Sequence, residues 1–372
     1  MSRWAWAEID HDAIRHNVEV MRRAVAPSAV WAVVKADGYG HGAVDVARTA
    51  LDAGAEGLCV ALVDEGVELR GAGIDAPILL LSEQPLAEVT RISEHRLIPM
   101  VYTRSYVDAL AALDVEALDV HLKVDTGMQR VGVSAGEAPS LAAAVIRHAP
   151  RLRLAGVATH LASADDVADP ATSDQLATFD AVLAALPANL VSPAIHAANS
   201  AGALAHPSAR YSFVRAGIAI YGISPGHGVD HLCRDLRPAM SLRARVAFVK
   251  RVAAGSRISY GLRHTFTRST TVAAVPIGYA DGVPRRLFET GGEVLIGGRR
   301  RPIVGVVTMD QLMVDVGDDP IAVGDEVVLI GEQGGQRVGA EEWADRLGTI
   351  GYEIVCGVSR RIARSPRRSI GD

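Results

Sequence analysis

The sequence predicts a (β/α)8, TIM-like barrel followed by a separate, mostly β C-terminal domain. Two observations carry this. From about residue 28 to 222, short apolar runs alternate with stretches whose apolar residues recur every three or four positions. After Pro238 the pattern changes to short β-branched segments broken by Gly-Gly, Gly-Asp and Asp-Asp turns.

The barrel candidates are Val30–Lys35, Gly57–Leu62, Pro77–Ser82, Leu97–Tyr102, Asp119–Asp125, Leu152–His160, Pro193–Ala197 and Ser212–Tyr221. Intervening segments carry helical spacing, as in Val44, Ala47, Ala50 and Leu51 or in Leu141, Ala144, Val145 and His148. Eight strand–helix pairs in about 190 residues suit a closed barrel. A doubly wound open sheet stays as the alternative, because periodicity does not report closure. The second domain offers Ser241–Val252, Thr270–Pro276, Glu293–Ile296, Pro302–Val307, Leu312–Val316 and Glu326–Ile330, with one clear helix near Glu341–Leu347. The division is therefore 1–235 for the barrel and 236–372 for the β domain.

Composition sets the outer limits. At 372 residues the chain exceeds a single core, which agrees with two domains. A net charge of −5 gives no general attraction to nucleic acid or anionic membrane. The basic ending from Arg360 to Arg368 reads as a solvated tail. Cys59, Cys233 and Cys356 are odd in number and far apart, so a reducing compartment is expected rather than a disulfide framework. The first ten residues lack the apolar core of a signal peptide, and no run of some 18 apolar residues follows. The expectation is a soluble cytoplasmic protein.

The strongest chemical signal is Ala32-Val-Val-Lys-Ala-Asp-Gly-Tyr-Gly-His-Gly42. Lys35 ends a strand that should be buried on both faces, and a Gly-rich turn follows. A buried ammonium is costly, so such a lysine is paired, snorkels off the strand end, or is reactive. The reactive reading is a Schiff base with a carbonyl cofactor. Other polar groups fall at the same edge of the barrel, where active sites of this architecture gather. Lys123 and Arg130 end and follow the fifth strand, and His160 ends the sixth. His196, Asn199 and Ser200 follow the seventh, and Arg215 and Gly217 open the eighth. Ser200 and the Gly217–Ile218 backbone lie where barrels often bind phosphate.

Eight segments then point one way. They are Val34-Lys-Ala-Asp-Gly-Tyr-Gly-His-Gly42, Lys123-Val-Asp-Thr-Gly-Met-Gln-Arg130, His196-Ala-Ala-Asn-Ser200, Arg215-Ala-Gly-Ile-Ala-Ile-Tyr-Gly222, Ile258-Ser-Tyr-Gly261, Ile277-Gly-Tyr-Ala-Asp-Gly282, Thr308-Met-Asp-Gln311 and Gly351-Tyr-Glu-Ile354. In order, and over nearly the whole chain, the sequence resembles the alanine racemases.

That resemblance implies a two-base racemisation of alanine on pyridoxal 5'-phosphate, supplying D-alanine for peptidoglycan synthesis. It implies that Lys35 carries the cofactor and is the base toward D-alanine. Tyr260, contributed by the partner subunit of a homodimer with shared sites, is the base toward L-alanine. Tyr39, Ser200, Gly217, Ile218 and Tyr352 match phosphate-binding positions, with His160 and Asn199 also on the cofactor side. Arg215 matches the residue facing the pyridine nitrogen, and Arg130 the one at the phenolic oxygen and substrate. Met309 belongs to the substrate pocket on the partner's side; His196, Tyr279 and Asp310 support the site. Lys123 corresponds to a carbamylated lysine, with pairing to Asp125 as the simpler option. No metal is implied.

General chemistry agrees with these roles. Racemisation removes a proton from one face and returns one on the other, so two acid/base groups are needed. A tyrosine base ordinarily has a pKa of about 10 and needs positive charge nearby; by resemblance Arg215 with His196 supplies it. Arginine holds its proton too firmly to give it to the pyridine nitrogen. Departures from the family pattern are few: Asp37-Gly38, Gln129 and Val306 each replace a more usual residue.

Rival readings fare worse. Gly71-Ala-Gly-Ile-Asp-Ala76 imitates a dinucleotide fingerprint but precedes a strand instead of following one. His227, His231 and Cys233 read as a loop rather than a metal cluster. A non-catalytic cofactor carrier would lack Tyr260 and Tyr279. A decarboxylase or aldolase of this architecture would place an acid where Arg215 stands. A serine or broad-specificity racemase is the remaining alternative, since one hydroxyl is weakly rejected by a small pocket.

Overall fold

The computed structural model describes residues 4–114, 117–188, 190 and 192–367. Arg368 of the basic ending lies outside the described residues. The first strands are β1 (Ala5–Ile9), β2 (Ala29–Val33), β3 (Gly57–Val60), β4 (Ile78–Leu80) and β5 (Ile98–Val101). They are followed by β6 (Leu118–Asp125), β7 (Val133–Ser134), β8 (Leu152–Ala158), β9 (Ala194–His196) and β10 (Phe213–Ala216). Two compact units emerge: residues 14–38 with 42–237, and residues up to 13 with 39–41 and those from 238 onward.

In the first unit eight strands pair in parallel, in the order β10-β2-β3-β4-β5-β6-β8-β9, and the short β7 adds to β6. The two ends of this path meet. Ser212 N donates to Ile195 O at 2.9 Å and Arg215 N to Ala198 O at 3.0 Å, and Ile195 N donates to Ser212 Oγ at 2.8 Å. The sheet is a nearly closed barrel, which removes the open-sheet alternative. Strands such as Ile78-Leu79-Leu80 are fully buried, as continuous apolar runs in a parallel sheet require. The helix Ala43–Asp52 buries Ala43, Val46, Ala47 and Ala50, one stripe at helical spacing.

Two glycines make room inside the barrel. Trp31 lies in register with Gly57, and His121 with Gly156. A Cβ on Gly57 would come within 2.6 Å of the indole, and one on Gly156 within 2.5 Å of the imidazole. The rings those glycines admit join an aromatic layer: Trp31 lies 6.4 Å from His121 and stacks on Phe213 with centroids 4.5 Å apart, and His196 stacks on the same Phe213 at 4.2 Å.

Every barrel strand read from the sequence is present, but all except Asp119–Asp125 run past the observed strand at one end or both, two of them into the site. Val30–Lys35 stops at Val33, and Ser212–Tyr221 stops at Ala216. Residues Ile218–Tyr221 instead form a 3-10 turn that ends at Gly222, where φ is 77° and glycine is favoured.

The second unit continues with β11 (Met240–Arg245), β12 (Phe248–Val252), β13 (Arg257–Ile258), β14 (His264–Thr265), β15 (Thr270–Val275) and β16 (Glu293–Ile296). Then come β17 (Arg299–Pro302), β18 (Leu312–Gly317), β19 (Glu326–Gln333), β20 (Gln336–Val338) and β21 (Ala363–Pro366). One sheet runs β17-β16-β19-β11-β1-β21, with β20 paired to β19, and a smaller one runs β12-β15-β18. The strand β1 pairs with β11 and β21, so the first residues group with this unit, whereas the sequence division counted them with the barrel.

Three other expectations need correction. Ser241–Val252 is two strands, each in a different sheet. Pro302–Val307 is not a strand: Ile303, Val304, Val306 and Val307 are buried, but Gly305 has φ of 73°. Pro302 closes β17 and Ile303 makes a single bridge to Val314, so pairing stops there and burial explains the rest of that β-branched run. A second helix, Gly351–Cys356, follows Ala340–Leu347. No described helix is long and apolar enough to cross a membrane.

Candidate active site

Lys35 lies two residues beyond the end of β2, at the start of an unusual turn. Ala36, Asp37 and Gly38 have φ/ψ of 52°/50°, 54°/47° and 59°/45°, and Tyr39 follows at φ 53°. This is a left-handed turn, closed by Gly38 N donating to Val34 O at 2.9 Å. Left-handed geometry costs roughly 1–2 kcal/mol for each residue bearing a Cβ, and only Gly38 escapes. The conformation is held from outside: Asp37 Oδ1 accepts from Ala43 N at 3.0 Å, and Glu65 Oε1 accepts from Ala36 N at 2.6 Å. Such strain beside a candidate reactive lysine is characteristic of functional sites.

The barrel interior holds a cluster of one arginine and three histidines. Arg215, on β10, is buried. Its Nη1 donates to His196 Nδ1 at 2.6 Å, and its Nη2 donates to His160 Nδ1 at 3.0 Å, Thr159 O at 2.8 Å and Ala197 O at 2.9 Å. Among the described residues no carboxylate takes part. Burial lowers the Arg215 pKa to about 10, which leaves it charged at neutral pH. His196 is an acceptor at Nδ1, so in the neutral ring its proton sits on Nε2. That proton faces His121 Nδ1 at 2.9 Å, giving a directed chain Arg215→His196→His121. Burial, reinforced by Arg215, pushes His196 and His160 well below the ordinary histidine range; burial brings His121 to about 4.

Lys123 on β6 is buried, its Nζ donating to Val124 O at 3.3 Å and Val131 O at 3.5 Å. Asp125 Oδ1 turns instead to the backbone of Gly127 and Gln129, at 2.9 and 3.1 Å. Burial, then the charge of Arg215, lowers the Lys123 pKa to about 7. Arg130 stands exposed in the following loop. Gln129 has φ of 57°, a left-handed position that explains why Gly or Asn would be easier there.

Beyond β9, Ser200 Oγ accepts from Gly217 N at 2.9 Å and from Ala219 N at 3.4 Å. The hydroxyl hydrogen is then available to another acceptor. Asn199 Oδ1 caps the helix Ser200–Ala205 by accepting from Gly202 N at 2.9 Å. Lys35, Lys123, His160, His196, Ser200, Arg215, Gly217 and Ile218 thus all belong to the barrel unit, at or just beyond the C-terminal ends of its strands.

The second unit holds the remaining candidates. The rings of Tyr39 and Tyr352 lie 6.1 Å apart. Gly40 passes so close to Val355 O that a Cβ would fall within 2.4 Å of it, and Arg364 Nε donates to Gly40 O at 3.0 Å. Tyr260 is 72% exposed on a turn with positive φ at Ser259, Gly261 and Leu262. Ser259 Oγ pins that turn by donating to Val306 O at 2.6 Å. Tyr279 N and Ala280 N donate to Thr308 O and Met309 O, at 2.9 and 3.1 Å; Gly278 permits the approach, since its Cβ would lie 2.2 Å from Thr308 O. Met309 and Tyr279 are 52% and 42% exposed. Asp310 pairs with Arg361 at 2.6 Å, and Arg361 also reaches the buried Asp281 at 3.5 Å.

Sequence reasoning assigned no role to His121 or Glu65. His121 alternates onto the same face of β6 as Lys123, a period-two signal that could have been read. Glu65 gave no signal beyond helix capping, because its third partner belongs to another strand–helix unit.

Family models for the alanine racemase N-terminal and C-terminal domains match residues 9–225 and 239–366. The alanine racemase of Symbiobacterium thermophilum is 48% identical over 367 residues, covering 97% of each chain. That of Thermobifida fusca is 43% identical over 98% of each. Among solved structures, alanine racemase from E. faecalis is 40% identical with a TM-score of 0.92, covering 98% of both chains. The Bacillus anthracis enzyme with bound L-Ala-P is also 40% identical with a TM-score of 0.92, over 99% of this chain and 96% of that one. With its lysine turn, buried arginine–histidine chain and exposed tyrosine turn set on that same frame, the chain belongs to the alanine racemase family, a family of isomerases.

Proposed function

We propose that the protein interconverts L- and D-alanine with pyridoxal phosphate, as a homodimer of shared sites, and supplies D-alanine for peptidoglycan synthesis. The observation that carries this reading is the buried Arg215, whose hydrogen-bond partners among the described residues are two histidines and two carbonyls, with no acid.

The residues suit the cofactor. Lys35, Arg130 and Arg215 give the barrel mouth a positive field for an anion. Ser200 offers its hydroxyl to a phosphate, with the Gly217 and Ile218 backbone, Tyr39 and Tyr352 as further partners. Arg215 Nε takes no part in the bonds above and suits the ring nitrogen as acceptor. His160 and Asn199 line the cofactor side, and Arg130 serves its phenolic oxygen. When bound, pyridoxal phosphate makes the α-proton of the amino acid acidic by withdrawing electrons.

The remaining work falls to the chain. Lys35 anchors the cofactor and handles the α-proton on the face that D-alanine presents. Tyr260 of a second copy handles the opposite face. Arg215 stays protonated and denies the ring nitrogen a proton, which limits charge delocalisation and favours reprotonation at the α-carbon. His196 orients Arg215, Met309 limits substrate size, and Tyr279 and Asp310 support the tyrosine side. Lys123, with a large neutral fraction near pH 7, forms an N–C bond to carbon dioxide and releases a proton to solvent, and the resulting carbamate anion orients Arg130.

The test is direct. Purified protein with pyridoxal phosphate is incubated with each L-amino acid, and D-enantiomers are scored. D-alanine is expected to form fastest. D-serine at a comparable rate makes the enzyme a broad-specificity racemase; no D-product at all sinks the reading.

A further inference from the structure

We infer that Glu65 is a positioning residue for Lys35, acting as a carboxylate clamp on the left-handed turn. This rests on the reading of Lys35 as the base that meets D-alanine.

Glu65 lies in the helix Val63–Gly71 that follows β3, one strand–helix unit away from Lys35. Its two oxygens divide their work. Oε2 accepts from Ala61 N at 2.7 Å and Leu62 N at 3.1 Å, which ties down the start of its own helix. Oε1 reaches across and accepts from Ala36 N at 2.6 Å. A cap alone needs only the first pair. The third bond joins the ends of β2 and β3 at the residue next to Lys35, where the backbone enters its left-handed run.

A turn of that hand has no intrinsic preference to form in Ala36 and Asp37, so whatever fixes its first N–H also fixes where the Lys35 side chain starts. Only a carboxylate can do this for three donors at once. Glutamine has one acceptor oxygen, and its amide nitrogen would face N–H groups on the other side.

The experiment compares wild-type holoenzyme with Glu65→Gln, using Leu69→Ala in the same helix as a variant matched for lost thermal stability. Hydrogen exchange at the Ala36 amide is followed together with loss of α-deuterium from D- and from L-alanine. In Glu65→Gln the Ala36 amide should exchange at least tenfold faster than in Leu69→Ala. Deuterium loss should fall about tenfold for D-alanine and clearly less for L-alanine. Ala36 exchange equal in the two variants, or equal falls for both enantiomers, would reduce Glu65 to a helix cap and overturn the inference. Should the wild type fail to act on alanine, the proposed function fails, while Ala36 exchange still decides the clamp.

Discussion

Arg215 and His196 are bound as donor and acceptor at 2.6 Å, with both side chains buried. The arginine thereby dictates the imidazole's tautomer, and the imidazole holds the guanidinium plane.

The first prediction follows from that bond. Arg215→Lys keeps the charge but replaces a planar fork by a compact ammonium that cannot reach four acceptors. Each buried acceptor left without a partner costs about 1–3 kcal/mol. A loss of two should lower Tm by about 5 °C or more in a chain of this size. The racemisation rate should fall by about two orders of magnitude. Calorimetry beside a D-alanine assay checks both; full retention of Tm would mean the four bonds contribute little.

The second prediction concerns acid. His121, His160 and His196 all have pKa values depressed by burial, so the folded state keeps them neutral while the unfolded chain takes up protons. Stability is fully present above the unfolded value of about 6.5 and is lost as pH falls toward the folded values. Urea midpoints should therefore decline from pH 6.5 to about 4, where His121 itself titrates. Each such histidine adds at most about 1.4 kcal/mol per pH unit. His121→Gln should flatten the decline by one proton's worth. An unchanged slope would show that His121 is not kept neutral by the fold.

The barrel side of the candidate site is legible in the sequence. Lys35, Lys123, His160, His196 and Arg215 were found because apolar strands end in polar residues, and a barrel gathers such ends. Boundaries are less legible: in Pro302–Val307 pairing ends at the Ile303 bridge to Val314 while Val304, Val306 and Val307 stay buried, and apolar pattern does not separate those cases. The left-handed turn at Ala36–Tyr39 was also hidden, since only Gly38 there favours positive φ. The membership of β1 was invisible for another reason. Its partners Met240–Arg245 and Ala363–Pro366 lie more than two hundred residues away, and local pattern carries no such pairing.

Lys123 gives the third prediction. Burial and the charge of Arg215 lower its pKa to about 7, and a carbamate forms only from the neutral amine. Carbon-dioxide-free buffer should therefore lower activity, and bicarbonate should restore it, more completely at pH 8 than at pH 6. With carbon-13 bicarbonate, a carbamate resonance should appear in wild type and be missing in Lys123→Arg. A wild type that shows neither the resonance nor the activity response would leave Lys123 as a plain buried amine.

The last prediction concerns assembly. Lys35 and Tyr260 belong to different compact units of the chain, and Tyr260 presents 72% of its surface to solvent, with Met309 and Tyr279 also exposed. A large exposed ring on a pinned turn is what an interface between copies would cover. In a closed two-fold dimer the contact repeats, so each of two sites takes Lys35 from one chain and Tyr260 from the other. Lys35→Ala and Tyr260→Phe should each be inactive alone; the tyrosine variant should fold normally, because an exposed hydroxyl carries little stability. After subunit exchange, a mixed dimer holds one site with both lesions and one with neither. Random pairing makes about half the dimers mixed, so about a quarter of all sites should recover. Were both residues supplied by one chain, every site would keep a lesion and the mixture would stay silent. Labelled chains that exchange without regaining D-alanine formation would therefore rule out the shared site.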